Sequence, residues 1–317
     1  MIFSNLLRLL VTFLSFPSNL RREKLNENQI NLIKDLKFKT DQLIKSEKKF
    51  QKMNTHKIFS NSVLSLIKSG NLQNFLRLGF IQKMFFVHNR FYNYKFLKKI
   101  LSKKSEFWIK LLSENSVGNP VPFFLYRSSS GNRIRQVYLL KQGFEYAEIK
   151  NVDAVIEIGG GYGSLISVMQ NINKNIEYTI YDLPEVNLLQ YYYLKSQNIN
   201  CEISGLSENI NLLSEIELLK EKLKKLKINK KKILIIANWS LSEMPISLRK
   251  DLKFLFLNCD FAFVSFQDYF EDISNIAYFK ELEKKINNNF SISTLPIVEM
   301  NTIFNSNKHF SFLIKKW

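Results

Sequence analysis

The run VIEIGGGYG over residues 155–163 limits what this chain can fold into more than any other stretch. An apolar strand carries one acid, Glu157, and glycines follow at alternate positions, Gly159, Gly161 and Gly163, with Gly160 between the first two. Such a loop can turn sharply and let a ligand touch its backbone, because glycine tolerates positive φ and has no Cβ. SLISVMQNI then resumes apolar spacing of helical type, so the segment reads as strand, glycine loop and helix. In open parallel sheets that unit lies where nucleoside ligands bind, outside the carboxyl ends of the strands.

The spacing of the glycines narrows the ligand. A dinucleotide loop, G-x-G-x-x-G, wants its third glycine where this chain has Ser164, and counting from Gly160 puts Tyr162 at the second glycine. No lysine follows the glycines, so a G-x-x-x-x-G-K-[ST] phosphate loop is absent too. The next apolar run, EYTIYDLPEV, brings Asp182 to the end of a second strand, 23 positions beyond Gly159. An acid about 20 residues past the loop is placed to accept hydrogen bonds from ribose hydroxyls. The alternative is that Asp182 caps a helix beginning near Pro184.

What remains, E-x-G-x-G-x-G, resembles the first motif of the S-adenosylmethionine-dependent methyltransferases, and the DLP wording resembles the equivalent strand end of many O-methyltransferases. The resemblance implies S-adenosyl-L-methionine as cofactor. It places Gly159, Gly160, Gly161 and Gly163 against the methionine part, gives Glu157 the task of fixing the loop, and groups Asp182 and Asn238 with them.

From about residue 152 strands alternate with helices. The strands are DAVIEIG, EYTIYD, a weak NCEIS, ILIIANWS, FAFVSFQD and a final pair in STLPIVEM and HFSFLIKKW. Helices are expected after Gly163, after Pro184, through ENINLLSEIELLKEKLKKL and around PISLRKDLKFLF. The predicted class is α/β, a Rossmann-like methyltransferase sheet, mostly parallel with an antiparallel C-terminal strand, behind an N-terminal α-helical cap. The cap covers residues 1–115, where NQINLIKDLKFKTDQLIKSEKKF has helical spacing and NSVLSLIKSG stops at Gly70. Residues 116–150 form a connecting arm punctuated by Gly118, Pro120, Pro122 and Gly131, with FFLYR as a short strand in a hairpin or extended arm and a helix over 134–140. Residues 151–317 form the cofactor-binding domain.

Composition excludes more than it assigns. A chain of 317 residues with 45% hydrophobic residues is not mainly disordered. Two cysteines, Cys201 and Cys259, make neither a disulfide framework nor a zinc site, which suits a reducing cytoplasm. The formal charge of +18 is mostly lysine, for only nine of 46 basic residues are arginine, and a phosphate reader usually favours arginine forks. No nucleic-acid partner is expected. The opening MIFSNLLRLLVTFLSFP contains Arg8, ends at Pro17 and is short of the roughly 20 residues a membrane span requires. It reads as an amphipathic helix packed on the protein, with weak peripheral membrane contact as the alternative.

Methyl transfer to an alcohol needs alignment of the two reactants and a base for the alcohol proton. Polar groups at later strand ends are the place to look, and ILIIANWSLSEMP opens into Asn238, Trp239, Ser240, Ser242 and Glu243. The Asn/Asp-Pro-Pro-aromatic wording of base-amine methyltransferases is missing, as is a cysteine beside a proline for cytosine chemistry, so an oxygen acceptor is favoured. The SLSEM segment, VGNP, FVHNR and FVSFQDYF together resemble a bacterial family of sugar O-methyltransferases, over most of the chain from about Phe85 onward.

That resemblance implies a sugar hydroxyl as acceptor, on a nucleotide-sugar or surface glycan, without fixing the base. Glu243 and His88 are the candidate catalytic residues; Trp239, Ser240 and Gln267 are candidates for holding the sugar. Ser240 and Glu243 also have capping-box spacing. His56 and His309 carry no such signal, and no dense acid–histidine cluster points to a metal. Two rivals stay open: an RNA methyltransferase with a lysine-rich cap, and a nucleotide-sugar-binding protein of the same fold without catalysis.

Overall fold

The computed structural model describes residues 25–46, 54–85, 90, 92–102, 104–147, 152–286, 290–301 and 307–317. The opening apolar stretch and His88 lie outside them. The chain opens with α1 (Glu27–Lys45) and α2 (Asn54–Ser69). The first is started by a capping box, in which Asn26 and Gln29 exchange backbone-to-side-chain hydrogen bonds of 2.9 and 3.0 Å. Gly70 ends α2 at φ +77°. A 3₁₀ turn (Leu72–Arg77), α3 (Gly79–Met84), α4 (Tyr92–Ser102) and α5 (Glu106–Lys110) complete the helical part.

A small hairpin follows, β1 (Pro122–Phe123) and β2 (Tyr126–Ser130), leading into α6 (Gly131–Ala147). The hairpin is the expected one, but the chain turns at Phe124 and Leu125, so FFLYR is split between two strands rather than forming one. The helix is also longer than 134–140, since Asn132 and Arg133 are buried and carry it toward the hairpin.

The main sheet is built from β3 (Ala154–Ile158), β4 (Glu177–Tyr181), β5 (Cys201–Ile203), β6 (Ile210–Leu213), β7 (Ile233–Asn238), β8 (Phe261–Gln267), β11 (Phe290–Pro296) and β12 (His309–Lys316). Between them run α7 (Ser164–Ile172), α8 (Pro184–Lys195), α9 (Ile216–Ile228), α10 (Ile246–Asp251), α11 (Lys253–Asn258), the short ladder β9 (Tyr269–Phe270) with β10 (Ile273–Ser274), and α12 (Asn275–Ile286). Spatial order is β5-β6-β4-β3-β7-β8-β12-β11. Neighbours from β5 to β8 pair in parallel, and β12 alone runs against its neighbours. This is the α/β class expected, with the antiparallel strand contributed by the C-terminus.

Period-two alternation divides the sheet residues between two cores. Val155, Tyr178, Ile180 and Leu234 face a cluster shared with Leu36, Phe59 and Phe75 of the helical part. Ile156, Ile235 and Val264 face Leu219, Phe256 and Phe279 on the other side. The N-terminal helices therefore cover one face of the sheet, α1 and α2 packing on α8.

Two boundaries depart from the sequence reading. Ile210–Leu213, expected within a helix, is a fully buried strand between β4 and β5. A four-residue stretch is too short to show a period of its own, and here pairing with β4 decides it. The penultimate strand ends at Pro296, not within IVEM; the Ile297 amide still bonds the His309 carbonyl at 2.8 Å, and there the chain enters a turn closed by the Met300 amide on the Ile297 carbonyl.

The amino end of the interior strand β4 carries a buried ion pair, Lys222 with Glu177, and the same ammonium donates to the Ser207 carbonyl. Lys222→Met strips Glu177 of its partner and is expected to lower stability by about 3–5 kcal/mol. The pair Lys222→Met with Glu177→Leu is expected to recover most of that. Urea midpoints of the three proteins check it; equal midpoints for wild type and Lys222→Met would refute it.

Candidate functional site

The glycine loop leaves the end of β3 under tight control from two neighbours. Gly159 donates its amide to the Tyr181 carbonyl at 2.8 Å and sits at φ +72°. A Cβ there would stand 2.1 Å from Ser240 Cβ, so the turn after β7 presses directly on the loop. Ser240 Oγ donates to the Ile158 carbonyl across this contact. Gly161, at φ +56°, is different: a Cβ there would meet only Phe85, at 3.5 Å. Its open side faces the cavity described below.

Two carboxyls flank the loop, Glu157 buried and Asp182 half-buried. Glu157 is 2% exposed and accepts a hydrogen bond from the Tyr178 hydroxyl at 2.8 Å. Burial pushes its carboxyl up to about 8, with negative Asp182 adding to the rise and Tyr178 opposing it. Asp182 accepts from the Leu183 amide at 2.8 Å and from Gln190 Nε2 at 2.9 Å. Burial pushes Asp182 up to about 7 against those two donors. Helix α8 begins at Pro184 without a side-chain cap, so Asp182 does not serve as its cap. Gln190 also donates to the Gly161 carbonyl at 2.9 Å, tying acid and loop together.

Raised folded-state values set the sign of the pH dependence. Both carboxyls prefer to stay protonated in the folded chain, so their contribution is complete below about pH 4, near the unfolded values. It is lost as pH rises through about 7 and about 8, the folded values. The ligand-free protein is expected to melt lower at pH 8 than at pH 5. Glu157→Gln with Asp182→Asn should flatten that slope in calorimetric scans, and an unchanged slope would discard the assignment.

The carboxyl end of β7 makes the opposite wall. Asn238 Nδ2 donates to Gln136 Oε1 at 3.0 Å and its Oδ1 accepts from Ser265 at 3.2 Å. Trp239 follows at φ +67°, a left-handed conformation that a bulky residue adopts only when its surroundings enforce it. Its Nε1 donates to His309 Nδ1 at 3.0 Å, and Arg135 lies 5.3 Å from its ring centre. Burial pushes His309 down to about 4, leaving a neutral acceptor for the indole. Ser240–Glu243 forms a 3₁₀ turn, not a capped α-helix, and Ser240 is engaged with Ile158 instead of a capping box.

Glu243 is 9% exposed, and its Oε1 accepts from Gln267 Nε2 at 3.3 Å. Its Oε2 lies 3.9 Å from Nε2 of His56, which comes from α2 of the helical part and stacks 6.2 Å from Phe270.

These groups enclose a cavity of about 430 Å³. Glu157, the loop Gly159–Gly160–Gly161 and Asp182 line one part; Asn238, Trp239, Ser240 and Glu243 line another; His56, Phe59 and Phe85 close it from the helical part. Such dimensions and such a mixture of apolar wall and few polar groups suit a small-molecule site. Gly163 helps shape the loop at φ +94° but is not part of the wall. Gln267 stands behind it, bridging Ser242 and Glu243, so the structure gives it a supporting position and no contact with the cavity.

Sequence reasoning passed over His56, Gln190 and Arg135. His56 stands in a polar stretch with no motif, Gln190 is one polar residue in an apolar helix, and Arg135 precedes the glycine loop by two dozen residues. Only tertiary contact connects them to the site.

Among the described residues no group of three or more His, Cys, Asp or Glu gathers to hold a metal ion. No helix among them is long and apolar enough to cross a membrane.

No family model matches the chain, and no curated protein does. Some solved structures are similar to the chain, all at TM-scores below 0.5. A candidate sarcosine dimethylglycine methyltransferase from Galdieria sulphuraria is 10% identical, over 59% of this chain and 86% of that one, with a TM-score of 0.41. A mutant of MtNAS in complex with S-adenosylmethionine is 9% identical, over 92% and 99%, at 0.38. The mitomycin 7-O-methyltransferase MmcR is 12% identical, over 59% and 57%, at 0.33. These likenesses concern fold alone and bring no substrate with them.

Proposed function

We propose that the protein transfers a methyl group from S-adenosyl-L-methionine to a hydroxyl of a sugar, carried on a nucleotide-sugar or a surface glycan. One observation carries the cofactor part: a half-buried carboxyl, Asp182, and a glycine loop in left-handed conformation line the same cavity at the carboxyl ends of adjacent parallel strands. The residues present fit the group. Asp182 can accept from ribose hydroxyls, the open side of Gly161 can receive a close-lying chain, and both carboxyls, Glu157 and Asp182, would be favoured in ionised form by a cationic ligand. Bound there, the cofactor supplies an activated methyl on a sulfonium sulfur, which the acceptor oxygen displaces.

The protein's own part is alignment and proton removal. Trp239 and Ser240 form the wall on the acceptor side, and Phe59 and Phe85 limit the entry of water. His56 Nε2 is the proton acceptor for the hydroxyl. The imidazolium so formed pairs with Glu243 Oε2, which Gln267 holds in place. A base so positioned contributes about 10²–10⁴-fold.

Three measurements test the reading. Isothermal titration with S-adenosylmethionine should saturate, with proton release near pH 7 seen as a dependence of the heat on buffer; no saturation at millimolar cofactor would sink the proposal. Mass spectrometry of surface polysaccharide from cells with and without this protein should differ by about 14 daltons, one CH₂. The oxygen, not RNA, reading is checked by titration with RNA across salt, where tight binding with a steep slope would favour the rival. Cytoplasmic residence is part of the same proposal.

A further inference from the structure

A second cavity, of about 230 Å³, opens where the start of α1 and the 3₁₀ turn meet the segment leading into the β1–β2 hairpin. The methyl-transfer reading makes no use of it. Its polar wall comes from Gln73 and Asn74 of the 3₁₀ turn, Glu114, Asn115 and Asn119 of the connecting segment, and Arg127 of β2. Val117 and Pro120 add small apolar patches, and no aromatic side chain of the described residues lines it.

Hydrogen bonds hold this wall from behind. Asn119, at φ +55°, is gripped by Arg77, which donates from Nε to its carbonyl at 2.9 Å and from Nη2 to its Oδ1 at 2.8 Å. Asn119 Nδ2 donates to Asn74 Oδ1 at 2.6 Å. Asn115 Nδ2 donates to Gln197 Oε1 at 2.6 Å and to the Tyr193 hydroxyl at 3.2 Å. Glu114 Oε2 accepts from the Ser130 amide at 2.7 Å. A wall fixed before its ligand arrives loses little further freedom on binding.

Bonding capacity is left over on the cavity side. A carboxylate has about four acceptor positions, and Glu114 spends them on Ser130 and, at 3.3 Å, on the Tyr162 hydroxyl. The side chains of Gln73 and Arg127 make no hydrogen bond to the described residues. Planar donors and one carboxylate acceptor thus stand side by side, which suits adjacent hydroxyls, since each hydroxyl both donates and accepts. A nucleobase wants an aromatic face to stack on, and a phosphate would be repelled by Glu114. The apolar patches suit the C–H face of a sugar ring.

We propose that this second cavity binds a neutral sugar, with Gln73, Asn74 and Arg127 donating to its hydroxyls and Glu114 accepting from them. None of these residues lines the first cavity, so the proposal does not depend on the methyl-transfer reading. Two sources share the chemistry: a free monosaccharide, or a non-reacting sugar unit of a glycan acceptor. In the second case Tyr162, which lines the first cavity and reaches Glu114, stands between the two sites.

The test is saturation-transfer NMR of wild type, Gln73→Leu and Arg127→Ala with four probes at millimolar concentration: the methyl α-glycosides of glucose, galactose and mannose, and N-acetylglucosamine. At least one should give a saturable signal. Arg127→Ala should weaken it by about tenfold or more, and Gln73→Leu by about threefold. Arg127 is exposed and Gln73 half-buried, so both variants are expected to melt as wild type does.

No saturable signal from any of the four sugars would overturn the proposal. Equal binding by wild type and both variants would also overturn it, and would leave the first cavity free to be the sugar's site. Displacement of the sugar by inorganic phosphate, lost in Arg127→Ala, would make the cavity an anion site instead. The sources separate on methylation of surface polysaccharide. A glycan unit as the source raises KM about tenfold in Arg127→Ala with kcat unchanged, whereas a free sugar leaves both as in wild type. Should no methylation occur with any protein, the methyl-transfer reading falls and the NMR result still decides the second site.

Discussion

Gly161→Val is expected to abolish the proposed binding of S-adenosylmethionine while the chain still folds. The position has φ +56°, and the space around a Cβ is closed only by Phe85 at 3.5 Å. A branched side chain therefore meets little protein and projects into the cavity where the cofactor's chain is proposed to lie. Strain at a left-handed backbone costs roughly 1–3 kcal/mol, which for a chain of this size is a few degrees in melting temperature. Loss of affinity should be about 100-fold or greater, equivalent to ~2.7 kcal/mol.

Gly159→Ala is the contrasting case. Its Cβ would collide with Ser240 at 2.1 Å, so loop and strand turn must part, and stability falls together with binding. Circular dichroism melts beside calorimetric titration separate the two. A Gly161→Val protein that binds the cofactor normally would remove the loop from the site.

Under the proposed mechanism, Glu243→Gln is expected to lower turnover by about 10²–10⁴-fold and His56→Gln to do the same, with cofactor affinity within a factor of two of wild type for both. The reasoning is geometric. His56 Nε2 and Glu243 Oε2 are 3.9 Å apart on opposite walls, close enough for an ion pair once the imidazole takes a proton. Glutamine keeps the Gln267 contact in shape but cannot hold that charge. Because the two act as a unit, the double variant should be little worse than either single one. Added imidazole should restore part of the turnover of His56→Ala, which a merely structural role would not allow. Full turnover in either single variant would take that residue out of the reaction.

Much of the sheet was legible because strands such as AVIEI and ILIIAN are short, apolar but for one residue each (Glu157 and Asn238) and bounded by loops, which leaves helix little claim on them. Ile210–Leu213 was not, since its strand state depends on β4 lying beside it. The same division runs through the site. Glu157, the glycines and Asp182 stand within 26 consecutive residues of one strand–loop–helix–strand unit, so local pattern exposes them. Gln267 was placed correctly at a strand end, yet at the last residue of β8 its side chain turns to Ser242 and Glu243 rather than the cavity.

By itself, then, the sequence determined where the backbone must turn left-handed and which carboxyls stand beside that turn. Those are properties of residue type and short-range spacing: only glycine carries φ of +56° to +94° cheaply at alternate positions. Tertiary structure alone decided that His56, 187 positions before Glu243, would face it, and that Arg135 would lie on Trp239. It also set the ionisation of Glu157 and Asp182, because desolvation depends on what covers a group and not on what precedes it in the chain.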